Sequence, residues 1–250
     1  MGVDYDDRLY RNYARGRRIE PAALAELTAT FARYAPAARP LPVLDLGSGT
    51  GRFTPALAEE FGGPVYGVEP SERMRAIAAE TAAHPAVRYL AGRAEAIPLP
   101  DGSCGLALLF LSLHHVADKA AGFAELARVV RPGGAVLIRT QLADRMPDLQ
   151  WYRYFPSARA VDTAMYPTGA DVRALAAAAG FGAELTDVPA GPPDTLRDSY
   201  ERLRLRALST FEHLPAAEVD AGFAAFAADA AERGDTVITP SRGHLFVLHR

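Results

Sequence analysis

The sequence predicts an α/β fold built on a mostly parallel sheet, and three observations carry that reading. Short apolar runs bounded by Gly, Pro and Asp alternate with segments of helical periodicity, the pattern of consecutive βα units. One run, Leu106–Leu111 (LALLFL), is unbroken apolar sequence, as a central strand covered on both faces requires. With 250 residues, 49% hydrophobic and 23% charged, the chain is long enough to bury a full core, and one domain over 1–250 is the expectation.

The elements follow in order. Pro42–Leu46 (PVLDL) reads as the first strand, ended by a glycine cluster, and Arg52–Phe61 as the helix it feeds. Pro64–Val68 is a second strand, followed by Ser71 as helix N-cap and a helix carrying Met74, Ile77 and Ala78 at spacings of three and four. Ala86–Leu90 is a third strand and Leu106–Leu111 the fourth, in mid-sheet. Asp118 caps the next helix, which bears Phe123, Leu126 and Val130 and is stopped by Arg131-Pro132-Gly133-Gly134 before the strand Ala135–Thr140. From Gln141 the pattern changes: residues 141–167 are rich in turn-formers and carry the aromatic group Trp151, Tyr152, Tyr154, Phe155 and Tyr166. A helix over Gly169–Ala179 is capped by Thr168 with Asp171 and closed by Gly180, and Ala183–Val188 is a sixth strand. Residues 194–233 read as two amphipathic helices, an inserted lid, before a final strand His244–His249.

Composition narrows the function. Lys+Arg 27 against Asp+Glu 30 gives a net charge of −3, which lacks the basic field of sequence-independent nucleic-acid binding. The lone cysteine, Cys104, forms no internal disulfide and supplies no thiolate metal site, so no metal is expected and a cytoplasmic setting is. The start, MGVDYDDRLY, is acidic and polar where a signal peptide is basic and then apolar, and no apolar run approaches the roughly 18 residues of a membrane span. Lys119 is the single lysine, in an expected helix, which sets lysine-nucleophile chemistry aside.

Gly47-Ser48-Gly49-Thr50-Gly51 follows a strand and opens a helix, where main chain approaches a ligand closely and a helix N-terminus favours an electron-rich group. The dinucleotide fingerprint asks for Gly or Ala where Arg52 stands, and no Gly-Lys-Ser/Thr follows, so both NAD and a phosphate-loop nucleotide fit poorly. Glu69, at the end of the second strand, is placed to accept both hydroxyls of a ribose. A nucleoside without a pyrophosphate is the expected ligand. A tight βα turn alone also accounts for the glycines, a solvated strand end for Glu69, and core packing for Met74.

VLDLGSGTGRFT (Val43–Thr54) resembles the first motif of class I S-adenosylmethionine (SAM)-dependent methyltransferases. VYGVEPSERM (65–74), AGRAEAIPLPDGS (91–103), LSLHHVAD (111–118) and LARVVRPGGAVLI (126–138) resemble its later motifs in order. The likeness covers about residues 41–140 and is nearest to the small-molecule branch with the ubiquinone and menaquinone C-methyltransferases. It implies a Rossmann-like, seven-stranded, mostly parallel sheet with an antiparallel last strand. It also implies an N-terminal helical cover over 1–40, a cofactor core over 41–140 and substrate-side elements over 141–250. By resemblance, Gly47 and Gly49 hold the methionine part of SAM, Glu69 the ribose diol, Pro70 and Met74 one face of adenine, and Ala94-Glu95 the adenine edge; Asp45, Ser48 and Leu111 complete the cofactor set. Two positions depart from the family, Arg93 and Gly105, where Asp is frequent.

In the cover segment, YRNYARGRR, with Tyr5 upstream, Arg17 is the expected partner of the methionine carboxylate; a solvated basic turn is the competing reading. His114, just after the fourth strand, is the expected general base, with His115 turned into the domain; both rings satisfying only backbone groups is the alternative. The aromatic group of 151–166 suits a flat or greasy acceptor, or packs the lid onto the core. The expected activity is methyl transfer to a small organic acceptor in secondary or cofactor metabolism, by a monomer or homodimer. A SAM-binding protein that catalyses a rearrangement or cyclisation, and a catalytically dead binding domain, are the alternatives.

Overall fold

The computed structural model describes residue 16, residues 19–188 and residues 190–250. Tyr5 and Arg17 lie outside the described residues. Seven strands form one sheet in the order β3-β2-β1-β4-β5-β9-β6: β1 (Leu41–Leu46), β2 (Gly62–Glu69), β3 (Val87–Ala91), β4 (Cys104–Phe110), β5 (Val130–Thr140), β6 (Gly182–Val188) and β9 (Gly243–His249). β1 to β5 pair in parallel, while β9 runs antiparallel between β5 and β6, with Phe246 opposite both Ile138 and Leu185. This is the expected sheet with its antiparallel last strand.

Alternation along the strands sorts side chains into two layers. Val43, Leu106, Leu108, Leu137 and Val247 face helices α1 (Pro21–Ala32) and α2 (Thr54–Phe61), joining Phe31, Leu57 and Phe61. Leu44, Ala107, Leu109, Val136 and Phe246 face α4 (Lys119–Val129) and α6 (Gly169–Ala178), joining Phe123, Leu126 and Val172. β4, paired on both edges, is buried at every residue from Cys104 to Leu109, which is why its sequence carries no polar face.

The helices start where capping chemistry allows. Ser71 Oγ accepts from the Met74 amide at 3.1 Å to open α3 (Glu72–Thr81), Asp118 Oδ1 accepts from the Ala121 amide at 3.0 Å, and Thr168 with Asp171 forms a full capping box on α6. Some boundaries differ from the expectation. Arg131-Pro132-Gly133-Gly134 lies inside β5, whose register with β4 shifts between Cys104 and Leu106. β4 stops at Phe110, leaving Leu111 in the turn.

A third core lies outside this sandwich. Helices α5 (Ala158–Met165), α7 (Leu196–Leu203) and α8 (Ala216–Arg233), with a short 3₁₀ turn at Gln150–Tyr154, bury Trp151, Phe155, Phe211, Phe223 and Phe226 together. β7 (Asp194–Thr195) and β8 (Val237–Ile238) close the module as a two-residue ribbon. Phe155 is its hub, edge-on to Phe211 at 5.1 Å and Phe223 at 5.0 Å. Asp162 is buried with it and accepts from the Tyr152 hydroxyl at 2.7 Å and from Thr210 Oγ1 at 2.6 Å, whereas Gln150 Oε1 is buried without a hydrogen-bond partner among the described residues. Trp151, Tyr152, Tyr154 and Phe155 are thus internal to this module. Among the described residues no helix is long and apolar enough to cross a membrane.

Candidate active site

A cleft with a cavity volume of about 190 Å³, partly open to solvent, lies at the carboxyl ends of β1, β2 and β4, where open α/β sheets bind ligands. Its floor is the glycine loop. Gly47 has φ +75° and a Cβ there would sit 2.6 Å from Ser112 Cβ, so conformation and space both exclude a side chain. Ser112 in turn donates to the Leu46 carbonyl at 2.9 Å, tying the β4 turn to the end of β1.

Glu69, 7% exposed, lines the cleft and braces the loop: Oε2 accepts from the Gly49 amide and Oε1 from the Ser71 amide, each at 3.0 Å. One carboxylate therefore fixes both the glycine loop and the start of α3. Pro70 and Met74 continue the wall from α3.

Opposite them stands the segment after β3. Arg93, Ala94 and Glu95 line the cleft, and Glu95 Oε1 accepts from the Ala117 and Asp118 amides at 2.9 and 3.0 Å, capping the N-terminal end of α4. Farther along, Glu125 accepts from the Ile97 amide at 2.8 Å, while Arg128 donates to the carbonyls of Ile97 and Leu99 at 2.9 and 2.7 Å. α4 thereby holds a loop that has little regular structure of its own.

The third wall is the turn after β4. Leu111 lies in the left-handed region at φ +55°, and its amide donates to the Arg139 carbonyl at 2.8 Å. A side chain in that conformation costs about 1–2 kcal/mol, and such strain concentrates at ligand sites. The 3₁₀ turn Leu113–His115 then drives Leu113 into the core, which decides where the two histidines go.

His115 is exposed and lines the cleft, whereas His114 packs its ring on Tyr166 at 4.4 Å and on His115 at 3.9 Å and is not part of the lining. The expected orientations are reversed, because a three-residue turn that buries residue 113 brings residue 115 to the ligand side. Two expected cofactor residues also stand behind the cleft. Asp45 shares the parity of Val43 on β1, so it points toward α2 and accepts from Thr54 Oγ1 at 2.7 Å. Burial raises its carboxyl to about 6, with Thr54 and Arg52 opposing the rise and Glu69 adding to it. Ser48 is buried beneath the loop, where a Cβ on Gly67 would lie 3.0 Å from its hydroxyl. Gly47, Gly49, Glu69, Pro70, Met74, Ala94, Glu95 and Leu111 do line the cleft.

The sequence reading missed Arg52, Phe110, Ser112 and Val116. Arg52 stands at the position that broke the dinucleotide fingerprint, and its guanidinium lies 5.2 Å from the Phe110 ring centroid. Cys104 is buried at the start of β4, its thiol pushed up to about 11 by burial, and contributes nothing to the cleft.

The comparisons bear on the same region: residues 44–138 match the model of the methyltransferase domain family. Among curated relatives, the malonyl-[acyl-carrier protein] O-methyltransferase of Serratia marcescens is 36% identical over 108 residues, 43% of this chain and 41% of its own length. The demethylmenaquinone methyltransferase of Bacillus licheniformis is 35% identical over 97 residues, 38% of this chain and 42% of its own. The chain spans less than half the length of either. Of solved structures, a protein described as a methyltransferase of an antibiotic biosynthesis pathway in Anabaena variabilis superposes with TM-score 0.72 at 23% identity, covering 90% of this chain and 96% of that one. The [4+2]-cyclase SpnF superposes with TM-score 0.61 at 21% identity, covering 93% and 82%.

Proposed function

We propose that this chain transfers the methyl group of SAM to a small organic acceptor in secondary or cofactor metabolism. The observation that carries the reading is the Glu69 carboxylate, buried, bonded to the Gly49 amide and facing the cleft beside Met74. That arrangement matches a ribose diol next to an apolar base site. The residues present fit SAM: the main chain of Gly47–Gly51 for the amino-acid tail, Glu69 for the ribose, and Pro70 and Met74 for the base.

Bound SAM supplies an electrophilic methyl group on a sulfonium. The protein's contribution is to place an acceptor in line with it and to exclude water, the part of the barrier that positioning lowers most. Phe110, Leu111 and Val116 give the acceptor end of the cleft an apolar wall, which suits an aromatic or hydrophobic molecule. The His114–His115 pair receives the acceptor's proton where the acceptor is a hydroxyl or a carbon acid: His115 reaches the cleft, and His114, held by Tyr166, fixes its ring. The third-core module closes the substrate side as a lid.

Incubation with methyl-labelled SAM and an extract of producing cells, followed by mass spectrometry, tests the proposal. A labelled small molecule appearing with S-adenosylhomocysteine is the expected result; an acceptor changed without loss of SAM identifies a cyclase instead. His115→Ala should then lower the turnover number by roughly 10²-fold with S-adenosylhomocysteine affinity nearly intact. His114→Ala should cost less turnover and more stability. Equal turnover in both variants and the wild type would place the base elsewhere.

A further inference from the structure

The charges that line the cleft are divided between its two ends, and the inference drawn from that division rests on the reading of the cleft as a site of methyl transfer. The acids of the lining, Glu69 and Glu95, stand toward the nucleoside end, each accepting from main-chain amides. The acceptor end is the apolar wall of Phe110, Leu111 and Val116, and the cation of the lining beside it is Arg52. Two rings locate its guanidinium: the carbon at its centre lies 5.2 Å from the centroid of Phe110, the last residue of β4, and 5.6 Å from that of Phe53. Those rings pack on each other at 4.2 Å, with Phe31 6.2 Å from Phe53 and 6.3 Å from Phe110. A guanidinium on such a platform keeps its charge and its fork of N–H donors in a restricted orientation.

The neighbouring strand adds a second cation. Arg139 of β5 is the register partner of Phe110, and its guanidinium lies 6.0 Å from the same ring. Asp45 shares this side of the sheet, buried behind the glycine loop and bonded to Thr54 Oγ1. A sulfonium methyl donor brings one more positive charge to the cleft. An acceptor bearing an oxyanion gains attraction from each of these charges, and a cationic acceptor meets repulsion from each. We propose that Arg52 selects the acceptor: the molecule methylated here is aromatic or hydrophobic and carries a carboxylate or phosphate that the Arg52 guanidinium binds through paired N–H donors.

The full chain, incubated with methyl-labelled SAM and an extract of producing cells, tests this once the acceptor is identified as the mass of the labelled product less its methyl group. That acceptor should carry a carboxylate or phosphate. With it in hand, Arg52→Gln should raise its KM by about tenfold or more, the scale of a lost charge-assisted pair. The turnover number should stay within about threefold, and Arg52→Lys, which keeps the charge without the fork, should recover part of the loss. S-adenosylhomocysteine affinity by calorimetry should be the same in all three proteins, which also shows that the variants are folded. A neutral or cationic acceptor, or an equal KM in wild type and Arg52→Gln, overturns the inference and leaves methyl transfer standing. A tenfold loss of S-adenosylhomocysteine affinity in Arg52→Gln with the acceptor's KM unchanged also overturns it and assigns the arginine to the cofactor's own carboxylate. No labelled product from a wild type that binds S-adenosylhomocysteine overturns the reading of methyl transfer to a small molecule, and the inference with it.

Discussion

The two halves of the chain are held together by different chemistry. Across residues 41–140 the cleft is fixed through main chain: Glu69 and Glu95 accept from amides, Glu125 and Arg128 clamp the amide and carbonyls of one loop, and Gly47, Gly49 and Gly51 take positive φ. Across residues 150–233 several of the long-range bonds run from side chain to side chain, as in Tyr152 to Asp162, Thr210 to Asp162 and Tyr154 to Asp229, beside one from the Ser157 amide to Glu218. A frame built from main chain tolerates much sequence change and returns the same geometry, which suits a ligand common to many enzymes. A frame built from side chains changes shape with each substitution, which suits an acceptor that differs from one enzyme to the next.

That contrast can be broken at several points. Phe155→Ala removes the hub of the third core and should destabilise that module by about 3–5 kcal/mol, the usual cost of emptying a buried aromatic site. If the halves are independently organised, hydrogen exchange should rise across 150–233 while S-adenosylhomocysteine affinity holds; loss of both together would show one cooperative unit.

Asp45 probes the other half. Its carboxyl titrates near 6 when folded against 3.8 as its ordinary value, so the folded chain holds that proton more tightly than the unfolded one. The stabilising contribution is complete below about pH 4 and is lost as pH rises through 6, a difference of about 3 kcal/mol at roughly 1.4 kcal/mol per pH unit. In urea unfolding, Asp45→Asn should lack that slope, gaining on the wild type by up to this amount between pH 4 and pH 7.5. Parallel pH profiles for the two proteins would show that Thr54 and Arg52 fully compensate the buried charge. Glu69→Ala should have the smallest effect of the three, a loss of about 1.5–3 kcal/mol in S-adenosylhomocysteine binding by calorimetry. A folded variant with unchanged affinity would take Glu69 out of ribose recognition.

The same division explains what could be read from the sequence. β1, β4, the glycine loop and the caps Ser71, Asp118 and Thr168 are local patterns: alternation, positive-φ residues and a side chain reaching three residues on. Their positions follow from the chain itself. The third core was visible only as composition, because Phe155 meets Phe211 and Phe223, and Tyr154 meets Asp229, across long stretches of chain. α5 and the β7–β8 ribbon went unread for that reason. The histidine pair failed differently: its residues and place were legible, but the phase of a 3₁₀ turn is set by which neighbour enters the core, and Leu113 settled that. Asp45 and Ser48 lie in the right motif and on its far side, Asp45 by its parity on β1 and Ser48 by the course of the turn that follows.

Glu69 also has a kinetic consequence. Because its carboxylate already binds the Gly49 and Ser71 amides before any ligand is present, the loop's ordering belongs to folding and not to association. A nucleoside arriving at this face meets a surface that needs no rearrangement, so the loop sets no delay on capture. Differences in affinity among related nucleosides should therefore be written in how long each stays, with nearly common rates of arrival.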